Sequence, residues 1–476
     1  MGNLGSVNSK ALKSGAWYLM SNMIMKAMAL ITTPIFTRLM TKEEFGDYSN
    51  FLVWSHIAVI LVTMKMEASL ISAKFDYEGR LSQYNLSILV LTFCSTLVWL
   101  MMLWIFSDFF VGITGVSIAY LYYILIYCFF YAIISYFQIT ERFLYRYKRS
   151  VTIGILAAVS TTVMSIWLVM KMDDRLTARV IGGIIPVVLI GLFVLGYFII
   201  KGRKVIFSSW PYALKICIPY VPHLLSLLVL SSIDRVMITR ICGAADNALY
   251  SVAYSCGHML ALLTTSLNSA FAPWLGDKLH NEEFAEIRKI SKYYTLIFCL
   301  LVMPMILLAP EVLFIMGGKS YLEASHVMVP VALGCVCQFL YTLFVNVEQY
   351  TKHTFGMASA SIASAVLNYL LNLWLIPVYG YAAAAYTTYI CYMFLLLIHM
   401  VLVYRIGYQK SYDYKFFLLL VVMMTIVGVL FYLLYENTVL RYVTFIALLS
   451  FFTFIAWWEK SLIQNVIRTV KVRKYN

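Results

Sequence analysis

The chain has 476 residues, of which 62% are hydrophobic and 12% charged, with a formal net charge of +14 at pH 7 and a mean hydropathy of +0.83. Soluble domains carry about 25% charged residues, so a water-soluble globular fold is excluded and an all-α integral membrane protein is indicated. The links between apolar stretches reach only about sixteen residues (276–292 and 201–215), too short for the loop or domain in which a membrane enzyme keeps its polar catalytic groups.

A spanning helix needs roughly 20 apolar residues. By that measure about fourteen spans are expected, near 12–37, 48–71, 86–106, 117–138, 151–170, 180–200, 216–240, 249–271, 293–317, 326–347, 356–377, 381–404, 416–434 and 439–457. The first stretch is too long for a cleaved signal and lacks a small-residue cleavage site. Met1 to Ser6 fits an N-myristoylation pattern, which a chain with this many spans does not need. With the N-terminus in the cytoplasm, roughly 25 of the 36 Lys and Arg fall on cytoplasmic segments. They cluster at Arg142, Arg146, Lys148 and Arg149, at Lys201, Arg203, Lys204 and Lys215, and in the tail from Arg468 to Lys474. The positive-inside rule then predicts both termini in the cytoplasm. Basic loops against an anionic leaflet explain the +14 charge without nucleic acid. The nine cysteines are scattered through the spans with no histidine cluster, so buried free thiols are expected rather than a metal site or disulfides. No cofactor is implied.

The chain repeats itself. A shift of 202 residues lays Thr37, Arg38, Tyr48, Ser49, His56, Leu61, Thr63 and Ala68 on Thr239, Arg240, Tyr250, Ser251, His258, Leu263, Thr265 and Ala270. A shift of 207 lays Glu141, Ala158, Val159, Trp167 and Leu168 on Glu348, Ala365, Val366, Trp374 and Leu375. Three segments are predicted: a six-helix lobe over 1–200, a second over 201–410, and two further helices with a basic tail over 411–476. An even number of spans per repeat makes the lobes parallel, with a site between them.

Charges inside spans are costly and mark a bundle interior or a water-filled cavity. Lys26, Lys65 and Arg235 interrupt the first, second and seventh spans and predict a cationic lumen for an anionic cargo. Arg38 and Arg240, near the external ends of spans one and seven, serve the same lumen or snorkel to the interface. His56, Thr63 and Glu67 share a helical face in span two, and His258, Thr265 and Ser269 repeat the spacing in span eight. A duplicated stripe lines a shared cavity, or else provides inter-helix hydrogen bonds. Lys65 and Glu67, two apart, are expected to diverge, and Asp234 and Arg235 to need partners on other helices. Glu67 and Asp234 are candidate coupling groups, or neutralise a nearby lysine. Asn368 lies with Ser361, Ser364 and Asn372 on one face of span eleven. Pro34, and Pro219 with Pro222, interrupt corresponding helices of the two lobes.

Asp234-Arg235-Val236-Met237-Ile238 followed by Gly243 and Ala248 to Ala253 resembles a segment of bacterial polysaccharide flippases. So do Glu348-Gln349-Tyr350-x-Lys352, Val366 to Asn372, Ile376-Pro377 and Gly380 to Ala384, while Arg38-Leu39 with Phe45-Gly46-x-Tyr48 fits their first loop. The resemblance covers most of the chain and points to the multidrug/oligosaccharidyl-lipid/polysaccharide exporter superfamily, on its O-antigen and capsule repeat-unit branch. It implies a MATE-like fold in the bacterial cytoplasmic membrane. The implied activity is flipping of an undecaprenyl-pyrophosphate-linked oligosaccharide by alternating access, alongside a polysaccharide polymerase and glycosyltransferases. Members of that branch often have twelve spans. The alternatives are an organic-cation antiporter of the same superfamily, which would want an acidic lumen, a lipid-linked peptidoglycan precursor flippase, and a membrane polymerase or glycosyltransferase.

Overall fold

In a computed structural model of the chain, residues 28, 31–144, 146–351 and 353–458 are described. Lys26 lies outside them, as does most of the first expected span. Helix is the form in which a chain satisfies its own backbone in hydrocarbon, and no strand occurs among the described residues.

The first half comprises α1 (31–39), α2 (Lys42–Thr63), α3 (Leu70–Asp76), α4 (Leu81–Ile105), α5 (Ser107–Thr114), α6 (Ile118–Phe143), α7 (Tyr147–Val169) and α8 (Arg175–Gly202). The second has α9 (Ser209–Cys217), α10 (Tyr220–Ile241), α11 (Ala244–His280), α12 (Phe284–Leu307), α13 (Ala309–Gly317), α14 (Ser325–Tyr350), α15 (Thr354–Tyr379) and α16 (Tyr381–Arg405). Then come α17 (Tyr414–Leu433) and α18 (Thr438–Trp458). Among the described residues, 11 stretches are long and apolar enough to cross a bilayer. Helices α11 and α18 occupy the eighth and fourteenth expected spans.

Three expected spans are not single helices. The second ends at Thr63, where Met64 and Lys65 take left-handed φ values of 47° and 51°, and a short 3-10 turn, Met66–Ser69, leads into α3. The ninth is divided into α12 and α13, with Pro304 near the end of one and Pro310 in the first turn of the other. At the seventh, Pro219 is the N-cap of α10 and parts it from α9. Its ring removes a backbone donor just where the helix restarts.

Helices α2, α4, α6, α7 and α8 pack on one another, and α10, α11, α14, α15 and α16 do likewise. Helices α17 and α18 lie against the second group, α17 on α12 and α14 and α18 on α12, and Arg441 of α18 pairs with Glu311 of α13. The two groups meet where α2 packs on α10 and α11. Near the start of α2, a Cβ on Gly46 would overlap the Ala244 carbonyl oxygen, and Asn247 Nδ2 donates to the Gly46 carbonyl at 2.8 Å. A buried core around this contact draws Phe36, Met40 and Phe45 together with Ala248, Leu249 and Leu313.

Only glycine permits that approach. Gly46→Ala is expected to lower the thermal midpoint in detergent, the overpacking being worth about 1–3 kcal/mol. Gly196→Ala, with no atom near its added Cβ, is expected to leave the midpoint unchanged or raise it.

Candidate functional site

Asp234 is 1% exposed and accepts three hydrogen bonds, from Tyr250 Oη at 2.6 Å, Thr388 Oγ1 at 2.6 Å and Asn372 Nδ2 at 2.5 Å. Asn372 Nδ2 also reaches Asn368 Oδ1 at 3.2 Å, Asn368 Nδ2 donates to Thr388 at 3.2 Å, and Thr387 donates to Asn372 Oδ1. The knot ties α10 to α11, α15 and α16. Each buried polar group in it is satisfied by another, as a low-dielectric interior requires. Asp234 thus finds its partners on other helices, as its position beside Arg235 implied. Those partners are neutral donors and not a lysine, which corrects the neutralising role. Asn368 and Asn372 stood out in the sequence as a polar face. Tyr250 stood out only as a repeat match to Tyr48, and Thr387 and Thr388 not at all, since single hydroxyls in apolar helices carry no periodic signal.

Arg235, about 100° further round α10, turns away from the knot. It is half-buried, with its guanidinium 4.8 Å from the Tyr254 ring centroid. His56, on α2, is exposed. His56 also borders a cavity of about 180 Å³ between α2, α6, α7 and α8, with Tyr48, Tyr127 and Thr161.

Lys65 and Glu67 differ from expectation. Lys65 Nζ lies 3.0 Å from Glu67 Oε1. Two residues of a continuous helix would diverge, but the left-handed step at 64–65 ends the helix and folds the two side chains together. Thr63 is 1% exposed. It donates to the Val59 carbonyl at 2.6 Å and accepts from the Lys65 amide at 3.2 Å. It therefore closes α2 and does not share an exposed face with His56. Thr265 of α11 is exposed, and the His258 side chain lies outside the described residues.

Arg38 and Arg240 stand apart from this group. Arg38 donates to the carbonyls of Pro34 at 2.7 Å and Ile315 at 3.0 Å, beside Thr37 Oγ1, which reaches the Met316 carbonyl at 2.7 Å. Arg240 donates to the carbonyls of Gly112 and Ile113. Ile113 and Ile315 are themselves 202 residues apart, the same offset as Arg38 and Arg240. Each arginine thus caps the C-terminal turn of a short helix in the other half, α13 or α5, where unpaired carbonyls and the helix dipole favour a cation. Arg179, unremarked in the sequence, is buried among the rings of Phe36 and Tyr48, each 3.8 Å from its guanidinium carbon.

The all-helical, multi-pass bundle built from two packed groups of helices has the fold of solved flippase and multidrug-transporter structures. The family described as "Polysaccharide biosynthesis protein" matches residues 11–279, more than half the chain, and the chain belongs to that family. A lipid II flippase, MurJ, in an inward closed conformation has a similar fold, with a TM-score of 0.68 and 14% identity over 93% of this chain and 99% of that one. An inward-facing MATE-family multidrug resistance transporter follows at TM-score 0.60 and 13% identity, covering 81% of this chain and 96% of its own. A superfamily transporter from Pyrococcus furiosus, whose binding pocket is described as reversed in polarity, has TM-score 0.55 and 13% identity over 83% and 96%. No curated protein sequence matches.

The two neighbours at 234–235 separate experimentally. Asp234→Ala strands three donors and is expected to cost about 2–5 kcal/mol, read as a large fall in thermal midpoint. Arg235→Ala is expected to leave the midpoint nearly unchanged. In a cysteine-free background, cysteines at His56 and Thr265 are expected to react with small water-soluble thiol reagents, while one at Thr63 stays protected. Equal labelling at Thr63 would mean that α2 does not close there.

Proposed function

We propose that the protein flips an undecaprenyl-pyrophosphate-linked oligosaccharide repeat unit across the bacterial cytoplasmic membrane, for assembly of surface polysaccharide. The observation that carries the reading is membership of the polysaccharide biosynthesis family, in a chain whose spanning region holds the half-buried cations Lys65 and Arg235. A pyrophosphate is a doubly ionised group whose transfer through a low-dielectric bundle needs fixed cations and donors. Lys26 belongs to the same set by its place in the sequence. Arg235, with a planar fork, suits bidentate capture of a phosphate, and Lys65 supplies a point charge held in place by Glu67. An organic-cation antiporter fits poorly, because the one carboxylate beside Lys65 is already paired and Asp234 is enclosed.

Alternating access follows from the same layout. With both termini cytoplasmic, α1 and α10 end at the external face, and the caps made by Arg38 and Arg240 hold that face shut. Outward opening then requires both caps to part. The lobes over 1–200 and 201–410 move as units, bending at Pro34 and at Pro219 or Pro222. A polymerase and glycosyltransferases would work beside this protein in the membrane.

In a strain lacking its repeat-unit flippase, the wild-type gene is expected to restore surface polymer. Lys65→Ala and Arg235→Ala are expected to abolish that rescue with normal membrane levels, and Arg235→Lys to retain part of it. Rescue of a strain depleted of its peptidoglycan-precursor flippase, with no surface polymer in the first strain, would reassign the cargo to the other polyprenyl-pyrophosphate lipid. A disulfide between cysteines at Arg240 and Ile113, or at Arg38 and Ile315, is expected to stop export until reduced. Full export by the cross-linked protein would exclude opening at that face.

A further inference from the structure

At the other end of the first half, where α4 begins and α6 and α8 finish, a cavity of about 690 Å³ opens between the three helices. It shares no residue with Lys65, His56 or Arg235. Its polar lining includes Glu141, Arg146, Arg149, Lys201 and Asn85, and Phe198 contributes to an apolar wall.

Glu141 is 1% exposed, yet the arginine side chains beside it stand beyond hydrogen-bond distance of its carboxylate. Arg146 Nη1 is 3.7 Å from Oε1 and Arg149 Nη1 is 3.8 Å from Oε2. Among the described residues Glu141 Oε2 has no hydrogen-bond partner at all. A carboxylate oxygen taken out of water without a donor is costly. Facing a cavity, it is an acceptor awaiting an N–H. The two arginine side chains keep 53% and 60% of their surface exposed, so their donors remain available to a second group.

The repeat sharpens the contrast. Glu348 is the counterpart of Glu141, and the chain leaves both helices by the same turn. The Arg146 amide bonds the Glu141 carbonyl at 2.8 Å, and the His353 amide bonds the Glu348 carbonyl at 2.9 Å. In the second half, His399 Nδ1 sits 2.7 Å from Glu348 Oε1, and both side chains are closed off at 2% and 1% exposure. An imidazole of the chain itself thus meets one oxygen of Glu348, whose Oε2, itself enclosed, has no partner among the described residues either. At Glu141 the space is open, basic at its rim and apolar on one wall.

A ligand that fits must carry an N–H cation for Glu141 and an anion for Arg146, Arg149 and Lys201, close together, at the end of a spanning bundle. We infer that this cavity binds the head group of an aminophospholipid. Its phosphate takes the arginines and Lys201, its primary ammonium donates to Glu141 Oε2, and its chains follow the apolar wall into the bilayer. A purely anionic lipid satisfies the basic rim but brings its phosphate beside the Glu141 carboxylate and competes with it for the same arginines. A choline head group offers the cation without an N–H.

The test is lipid retention by the full-length protein, purified in detergent, exchanged into mixed phospholipids and read by native mass spectrometry. Phosphatidylethanolamine is expected to be retained about tenfold over phosphatidylcholine and phosphatidylglycerol, the worth of one charge-assisted hydrogen bond. The monomethyl and dimethyl amines, which keep an N–H, should behave like the parent lipid. Glu141→Gln should erase the preference while total retention persists, whereas Arg149→Ala should lower retention of every phospholipid with the preference intact. Soluble glycerophosphoethanolamine at millimolar concentration should compete if the head group alone is recognised; failure to compete assigns part of the affinity to the acyl chains. Retention of phosphatidylglycerol equal to or above phosphatidylethanolamine would overturn the inference and leave an ordinary basic belt. So would an unchanged preference in Glu141→Gln. Should that variant not fold, the methylation series on the wild type decides alone.

Discussion

Hydrocarbon offers no hydrogen bonds, and that single constraint organises this protein. Every polar group placed inside the bundle has to find its partner in the chain, in a cavity, or in a cargo. Asp234 takes the first course, enclosed by three donors from three other helices. The carbonyls at the ends of α5 and α13 take it too, receiving Arg240 and Arg38 from the opposite half. Arg235, the neighbour of Asp234 in sequence, lies instead against the Tyr254 ring, and its Nε has no hydrogen-bond partner among the described residues.

Duplication gives these solutions a symmetry that single-residue readings miss. Arg38 and Arg240 perform one task twice, each holding the other half's short helix. Glu141 and Glu348 began equal in position and have parted, one enclosed with an imidazole and the other left beside open space. Equivalent positions in a repeat report function best where they have stopped matching.

Much of this was legible in the sequence, and the exceptions share a cause. The all-helical fold and the run of apolar spans follow from composition and length, because a bilayer forces both. The three-partner setting of Asp234 was half legible: Asn368 and Asn372 recur at helical spacing and Tyr250 matches Tyr48 in the repeat, but Thr387 and Thr388 are isolated hydroxyls. The left-handed step at Met64 and Lys65 was hidden, since neither residue is a turn former and the apolar run continues past them. That step alone changed Lys65 and Glu67 from divergent to paired and turned Thr63 from a lining residue into a helix stop. Arg179 escaped notice because its partners are aromatic rings distant in sequence, and no charge pattern announces such a contact.

The meeting of Gly46 with the Ala244 carbonyl has a mechanical consequence. Two backbones touch there with no side chain between them, close to one end of α2. Such a contact resists compression but offers little resistance to rotation, which makes it a fulcrum. Helix α2 has 22 residues, a lever of roughly 30 Å at about 1.5 Å per residue. A turn of about 10° around that point would carry the far end through some ~5 Å by the same geometry, enough to open or shut a passage while the near end scarcely shifts.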